Sequence, residues 1–324
     1  MKNHISLFIF AIALLSGPVS ANDLSMTAVK DTLASIPGEH NYIYVRTPLG
    51  EDEEKNYDEI TFYDGLGREL DFAQSYGADR AGAIMAHHHL IEYDSLGRKE
   101  KQWLSTNTSF SYMSPEDLKG GVLWDYHDAG KRSYLQTNYE SSPLNRITEQ
   151  YGVGDAWGDH PARMEYLTNI PADSLRCSFY FIDDNDSLIR RGDYRSGELQ
   201  VTKATDEDGK PTYTFVDKQG RTLLTRLGRG NQQADTYFVF DRFGRIRYVL
   251  PPMINDEISA GNLDLYAYQY LYDSFGRCIS KQLPGCAAIR YVYDKADRVI
   301  LSQNGNQSQK KEWTFTFYDN QGRL

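Results

Sequence analysis

Tyr266 to Gln282 reads Y-A-Y-Q-Y-L-Y-D-S-F-G-R-C-I-S-K-Q. Tyr266, Tyr268, Tyr270 and Tyr272 alternate with Ala267, Gln269 and Leu271. Period two with the aromatics on one face predicts a strand over 266–272 with one buried side. Asp273 then opens a tight turn, because its carboxylate accepts from a backbone N–H two residues on. Gly276 takes a positive φ without steric cost, which suits a type I turn followed by a left-handed residue. Arg277 restarts the chain as the return strand. One motif is therefore one β-hairpin.

Working outward, the same hexapeptide recurs. Tyr63, Asp64, Gly67 and Arg68 belong to YDGLGR; Tyr93, Asp94, Gly97 and Arg98 to YDSLGR. Asp241, Gly244 and Arg245 follow Phe240 in FDRFGR, and Tyr293, Asp294 and Arg298 frame YDKADR. Tyr318, Asp319, Gly322 and Arg323 form YDNQGR. In VDKQGR, Asp217, Gly220 and Arg221 keep the pattern, but Val216 replaces the aromatic and leaves the register less defined. In YDKADR, Asp297 takes the glycine's place, at a conformational cost. YHDAGK from Tyr126 and FIDDNDSL from Phe181 read as weaker copies. Self-similarity at about 20–25 residues means an array of one supersecondary unit.

Composition agrees. There are 24 Tyr, 14 Phe and 4 Trp in 324 residues, and aromatics suit pleated, half-buried strands. Charged residues are 25% with a net of -10, which argues against a binder of nucleic-acid phosphates. Residues 1–21 read as a secretory signal peptide: Lys2, an apolar run from Ile5 to Leu15, then Val19-Ser20-Ala21 before cleavage. The run is too short to span a bilayer, so no stable membrane insertion is expected after cleavage. Residues 22–170 are expected to form an N-terminal domain with degenerate repeats, and residues 171–324 a hairpin array. Within these, 26–35 reads as a short helix, 51–55 as a charged loop and 105–120 as a loop. Residues 254–262 read as a loop or helical turn that interrupts an otherwise steady strand–turn–strand rhythm. Trp313 to Tyr318 reads as a last strand with an unpaired edge.

Candidate chemistry is thin. Cys177, Cys278 and Cys286 are too few for a disulfide framework. Cys278 and Cys286 flank a turn at Leu283-Pro284-Gly285, so pairing across a hairpin and free thiols are both open. On a strand His87 and His89 share a face, as two metal ligands would, but a catalytic zinc wants three protein ligands. Half-buried strand histidines are the plainer reading. Asp183-Asp184-Asn185-Asp186 lacks the glycine and distant glutamate of a calcium loop and reads as a degenerate turn. Asp206-Glu207-Asp208-Gly209 reads as another hairpin turn. Aspartates that recur in every turn have a structural task, not an acid–base one. Neither a nucleophile elbow nor a phosphate loop is present in the sequence. No catalytic residue, metal or cofactor is expected.

The iterated Y-D-x-x-G-R resembles the YD repeat of RHS-type proteins, similar in this respect to the teneurins. YESSPLNR, KQLPGCA and YVYDKADRVILSQNG resemble the secreted RHS-repeat proteins of Bacteroidota, with their uncharacterised N-terminal domain. The resemblance covers roughly residues 40–324 and rests on eight ordered copies. It implies an all-β fold of repeated antiparallel β-hairpins forming a curved or spiral sheet, a partial RHS shell open at its C-terminal end. Complete members continue into a core segment and often a variable toxin or effector domain, which the shell encloses. This chain departs from that pattern by stopping at Leu324 inside a hairpin, so the resemblance implies a fragment. The function implied is non-enzymatic encapsulation or surface display. Its partners are then the remainder of the shell and its cargo. An alternative is a carbohydrate-binding or adhesive module that stacks exposed aromatics on surface glycans. A second alternative is a metal-dependent hydrolase.

Overall fold

The computed structural model describes residues 29, 32–34, 36–38, 40–48, 56–78, 83–127, 130–228, 233–254 and 257–323. The expected signal peptide and charged loop lie outside these residues. Two compact units divide between Ala162 and Arg163.

In the first unit the strands are β1 (Asn41–Pro48), β2 (Asn56–Tyr63), β3 (Glu69–Ala78), β4 (Ile84–Tyr93), β5 (Lys99–Trp103) and β6 (Thr106–Ser109). Helix α1 (Pro115–Asp125) follows, then β7 (Tyr134–Tyr139) and β8 (Ile147–Tyr151). All pairings are antiparallel, in the order β1-β2-β3-β4-β5-β7-β8, with β6 on the other half of β4. Alternation is strict in the middle strands. Asp58, Ile60 and Phe62 of β2, Ala73 of β3, and Ile84, Ala86, His88 and Leu90 of β4 all turn to the buried face. Val29, Ile36 and Phe110 close over its apolar part.

Residues 105–120 are a loop only in part: 106–109 form β6 and 115–120 the first half of α1, with 110–114 irregular between them. Ser114 caps the helix by accepting from the Asp117 N–H at 3.1 Å, and Pro115 follows where its missing N–H costs nothing. Gly121 is needed in the helix interior, because a Cβ there would lie 2.7 Å from Thr106 Oγ1 of β6. Tyr126 caps the C-terminus of α1, so YHDAGK follows a helix and is not a strand-flanked repeat turn.

The second unit begins with β9 (Ala162–Thr168), whose first residue closes the first unit. Then come β10 (Ser178–Ile182), β11 (Leu188–Asp193), β12 (Gln200–Thr205), β13 (Pro211–Val216), β14 (Thr222–Leu227), β15 (Ala234–Phe240) and β16 (Ile246–Leu250). Helix α2 (Ala260–Tyr266) precedes β17 (Tyr268–Tyr272), β18 (Cys278–Gln282), β19 (Ile289–Tyr293) and β20 (Val299–Gln303). Helix α3 (Gly305–Lys310) precedes β21 (Thr314–Phe315). From β12 onward each strand pairs antiparallel with the next, and β9 pairs with β12. The sheet does not close. The β10–β11 hairpin forms a separate two-stranded sheet. Its Tyr180 joins Val201, Phe215, Leu224, Tyr237, Val239 and Leu250 of the larger sheet in one core.

Three expectations change here. Tyr266 is the last residue of α2, so the strand opens at Tyr268. The rhythm is broken again by α3, which Asn304 and Gln307 start with reciprocal caps. The strand expected over 313–318 pairs only at Thr314–Phe315. Burial also changes along the unit. Across β17 to β21 only Gln303 is fully buried. The sheet there is half-exposed on both faces.

Candidate functional site

The repeated turn brings the same charged groups together at seven places among the described residues. At Asp64, Asp94, Asp217, Asp241, Asp273, Asp294 and Asp319 the geometry is the same. The Asp N–H donates to the motif arginine's carbonyl at 2.9–3.0 Å. Its Oδ1 accepts the N–H two residues on at 2.8–2.9 Å. It also accepts the arginine N–H at 2.9–3.0 Å. Oδ2 takes the arginine Nε at 2.7–2.8 Å. In six of these turns a glycine with φ between 78° and 84° completes the turn, and in the Asp294 turn Asp297 stands in its place. In the six turns whose return strand pairs back, the register slips by one residue beside the leading motif position, Val216 included.

Several donors on one carboxylate favour its charged form. At Asp64, Asp294 and Asp319 the arginine backbone N–H is the largest cause, and the carboxyl is held below its usual range. At Asp94, Asp217, Asp241 and Asp273 desolvation pushes upward most, but the backbone and guanidinium donors together outweigh it.

The arginine does more than restart a strand. Its guanidinium reaches the next hairpin and lies over that hairpin's aromatic ring. Arg68 is 4.5 Å over Tyr93, Arg98 4.7 Å over Tyr139, Arg221 5.1 Å over Phe240 and Arg245 4.8 Å over Tyr272. Arg277 is 5.1 Å over Tyr293 and Arg298 5.0 Å over Tyr318. The Nη1 of Arg98, Arg245 and Arg277 also donates to the carbonyl of the next turn's acid, at 2.9, 3.3 and 3.2 Å. In return Tyr139, Tyr293 and Tyr318 donate their hydroxyls to the carbonyls of Lys99, Cys278 and Val299, each just after the stacked arginine. Within each unit, Tyr, Asp and Arg thus form a clasp from one repeat turn to the next. Tyr63 leads the first turn and Arg323 ends the last. Asp297, with φ 60°, adds an ion pair to Arg277 Nη1 at 2.9 Å that a glycine would not supply.

One clasp was hidden in the sequence. YESSPLNR is the same turn lengthened: Glu140 N–H donates to the Arg146 carbonyl at 3.0 Å, and its carboxylate holds Arg146 at 2.8 and 2.7 Å. Asn145, with φ 53°, stands where the glycine would be. Glutamate's extra methylene spans the longer loop, and the Glu-to-Arg spacing was the available signal. FIDDNDSL is a turn whose Asp183 Oδ1 accepts from Asn185 and Ser187, with no arginine of its own. Instead Asp186 pairs with Arg247 of β16. At Asp206 the carboxylate accepts the Lys210 N–H at 2.7 Å, while the Lys210 ammonium goes to Asp208.

The remaining candidates are placed as follows. His88 is buried, with Nδ1 2.6 Å from Asp71 Oδ2 and Nε2 2.9 Å from the Ser109 carbonyl. His87 stacks on Tyr76 at 4.4 Å, and His89 lies 6.3 Å from the Phe72 ring. Among the described residues no three His, Cys, Asp or Glu side chains converge to hold a metal. Cys177, Cys278 and Cys286 are free thiols. Cys278 lies opposite Tyr272 at one end of β18, whereas Cys286 sits in the turn beyond its other end. An open groove of about 660 Å³ in the second unit is lined by Phe179, Arg191, Tyr194, Arg195, Glu198 and Lys218, among others.

A family model, a domain of unknown function (DUF6443), matches residues 41–168. No curated protein matches the sequence. The crystal structure of TcdB2-TccC3-Cdc42 matches with a TM-score of 0.51 at 14% identity, covering 81% of this chain and 12% of that one. TcdB2-TccC3-TEV matches at 0.51 and 13%, covering 87% and 14%. TcdB2-TccC3 matches at 0.51 and 13%, covering 90% and 14%. The chain spans 12–14% of the length of these structures. At such identities the likeness is one of fold: an open, nearly all-β antiparallel sheet resembling the RHS-repeat shell of the Tc toxin.

Proposed function

We propose that the chain is a wall segment of a secreted, non-enzymatic RHS-type β-shell. The shell encloses or displays a C-terminal toxin or effector domain on the same polypeptide. Export through residues 1–21 and a source among the Bacteroidota belong to the same reading. The observation that carries it is the clasp. Turn after turn, the recurring charged groups are used to fix one hairpin against the next, which is what a curved wall requires. The half-exposed faces of β17 to β21 support it from packing, and the fold likeness to the Tc toxin shell supports it by analogy.

The test starts with the DNA beyond codon 324, where further YD repeats are expected in frame. The full-length product is then imaged by electron microscopy and treated with protease. A hollow body whose C-terminal domain resists digestion is expected. A solid particle with an accessible C-terminal domain would overturn the reading.

A second, adhesive reading has one specific place, the groove beside Phe179 and Tyr194. Its walls offer aromatic rings with both donors and acceptors, as a polyhydroxylated ligand requires. Binding on a glycan array that is lost in a folded Phe179→Ala variant would favour it over the wall.

A further inference from the structure

The groove beside Phe179 and Tyr194 holds cations that the clasps leave over. Two left-handed glycines, Gly192 at φ 67° and Gly197 at φ 77°, carry the chain from the end of β11 round to β12. Arg191 of β11 and Arg195 just beyond it line the groove, and Lys218 joins them from the tip of the β13–β14 turn. All three are exposed, and among the described residues none of their cationic heads meets an acid, a ring or a carbonyl. The acids of the lining are taken. Asp217 holds Arg221 at 2.7 Å, Asp193 pairs with Arg190 at 3.6 Å, and Glu198 accepts the backbone N–H of Arg195 at 3.0 Å.

The rest of the lining is aromatic and polar. Phe179 and Tyr194 pack edge to face with their ring centroids 4.8 Å apart. The Tyr194 hydroxyl is bonded to no group among the described residues. Burial, the largest cause, pushes its pKa up, so it stays a neutral hydroxyl that both donates and accepts. Phe179, Tyr194 and Arg221 also line an adjoining recess of about 270 Å³, together with Phe181, Leu223 and Phe240. Free cations stand elsewhere too, as at the Lys295 turn tip and at Lys310 in the last turn of α3. Arg191, Arg195 and Lys218 differ in sharing one concavity with two rings and a free hydroxyl, in a chain whose net charge is -10.

We propose that this groove takes an acidic carbohydrate, an oligomer of carboxylate-bearing sugars, with Arg191, Arg195 and Lys218 on the carboxylates and the Phe179 and Tyr194 rings beside the sugar faces. The inference rests on the adhesive reading of the groove and is separate from the wall role. A planar guanidinium meets a carboxylate with two parallel N–H bonds. The three cations come from separate segments, which suits charges repeated along an oligomer better than a single phosphate. The rings and the Tyr194 hydroxyl answer the C–H and O–H groups of a sugar, for which a plain acidic peptide has no counterpart. Cations around one cleft also draw an anion in from solution, an effect that salt weakens.

The test is titration of the full chain with oligogalacturonate and with oligosialic acid, each beside its methyl ester, which keeps the rings and hydroxyls and removes the charge. A free acid is expected to bind at least about tenfold more tightly than its ester at low salt, with the gap narrowing as salt rises. Arg191→Gln/Arg195→Gln/Lys218→Gln is expected to bind acid and ester alike, with the wild-type unfolding midpoint. If that variant does not fold, Lys218→Gln alone is expected to narrow the gap. Equal binding of acid and ester by the wild type, or a folded variant that keeps the preference, would overturn the proposal and leave the adhesive reading standing. Binding of neither acid would overturn it too, and an empty glycan array besides would take the adhesive reading with it. Equal competition by an oligoglutamate peptide would make the groove a surface for acidic peptides and would also overturn the proposal.

Discussion

The guanidinium of Arg98 lies 4.7 Å above the ring of Tyr139, and its Nη1 donates 2.9 Å to the carbonyl of Glu140. Between these partners the chain runs through β5, β6 and α1 before returning. The contact therefore sets which hairpin follows which across an insertion. Arg98→Ala removes the Asp94 ion pair, the stacking and the Nη1 bond together, at a cost of about 1–3 kcal/mol. Arg98→Lys keeps the charge but loses the planar fork, so it recovers only part. A double-mutant cycle with Tyr139→Leu, read from urea midpoints, is expected to give a coupling of about 0.5–1 kcal/mol. Additive effects would deny the clasp.

Glu140 gives the lengthened turn a pH signature. The Arg146 guanidinium, then the Ser142 hydroxyl, hold its carboxyl down to about 2 against the opposing effect of desolvation. A depressed folded value means that the stabilisation is fully present above the ordinary value of 4.5 and is lost as pH falls toward about 2. Glu140→Gln is therefore expected to unfold at lower urea than wild type at neutral pH, with the two midpoints converging as the acid limit is approached. A gap between them that ignores pH would contradict the assignment.

Gly67 and Gly97 both have left-handed backbone, with φ 78° and 82°, but their surroundings differ. A Cβ at Gly67 meets nothing, whereas one at Gly97 would lie 2.9 Å from Arg68 Nη1. Gly67→Ala is expected to cost the conformational strain alone, about 1–2 kcal/mol. Gly97→Ala must also move Arg68 off Tyr93, which adds about 0.5–1 kcal/mol. Equal midpoints for the two variants would show that Arg68 moves without penalty.

How much of this was legible depends on how local each cause is. The Asp–Gly turns could be read from single hexapeptides, because donor, acceptor and left-handed residue lie within five positions. The arginine's second task could not, since its ring partner comes from the next hairpin, as far off as Tyr139 is from Arg98. Helix α1 announces itself at Ser114-Pro115-Glu116-Asp117, but Ser/Thr/Asn richness before it and Gly120-Gly121 within it read as loop. YHDAGK has the right letters without flanking strands, and YESSPLNR has the right function with two extra residues. Buried His88 shows neither Asp71 nor the Ser109 carbonyl in its local sequence, because strands β3 and β6 supply them.

The uneven core predicts uneven protection. Strands β13 to β16 carry Phe215, Leu224, Tyr237, Val239 and Leu250 into one cluster, whereas β17 to β20 bury only Gln303. Local opening follows the density of buried apolar contacts. Amides of β17 to β20 are therefore expected to exchange faster than those of β13 to β16, with Asp273, Asp294 and neighbouring turn amides the slowest of the fast set. Uniform exchange across both groups would show that the clasps substitute fully for a core.

Arg226 tests the other way a charge is held here. It is 2% exposed, and its Nε and Nη2 meet Asp235 at 2.7 and 2.5 Å. Its Nη1 caps the carbonyls of Ser174 and Arg176 at 2.9 and 2.8 Å. Burial pushes its pKa down most, but Asp235 outweighs burial, so the group stays charged. Arg226→Met strands a carboxylate and two carbonyls, at a cost of about 3–5 kcal/mol. Removing the acid as well, in Arg226→Met/Asp235→Leu, relieves the carboxylate but not the carbonyls, so about 1–3 kcal/mol of the loss is expected to remain. Full recovery in the double variant would mean that the arginine serves only Asp235. Partial recovery in urea midpoints places it as the tie between the 174–176 segment and the sheet.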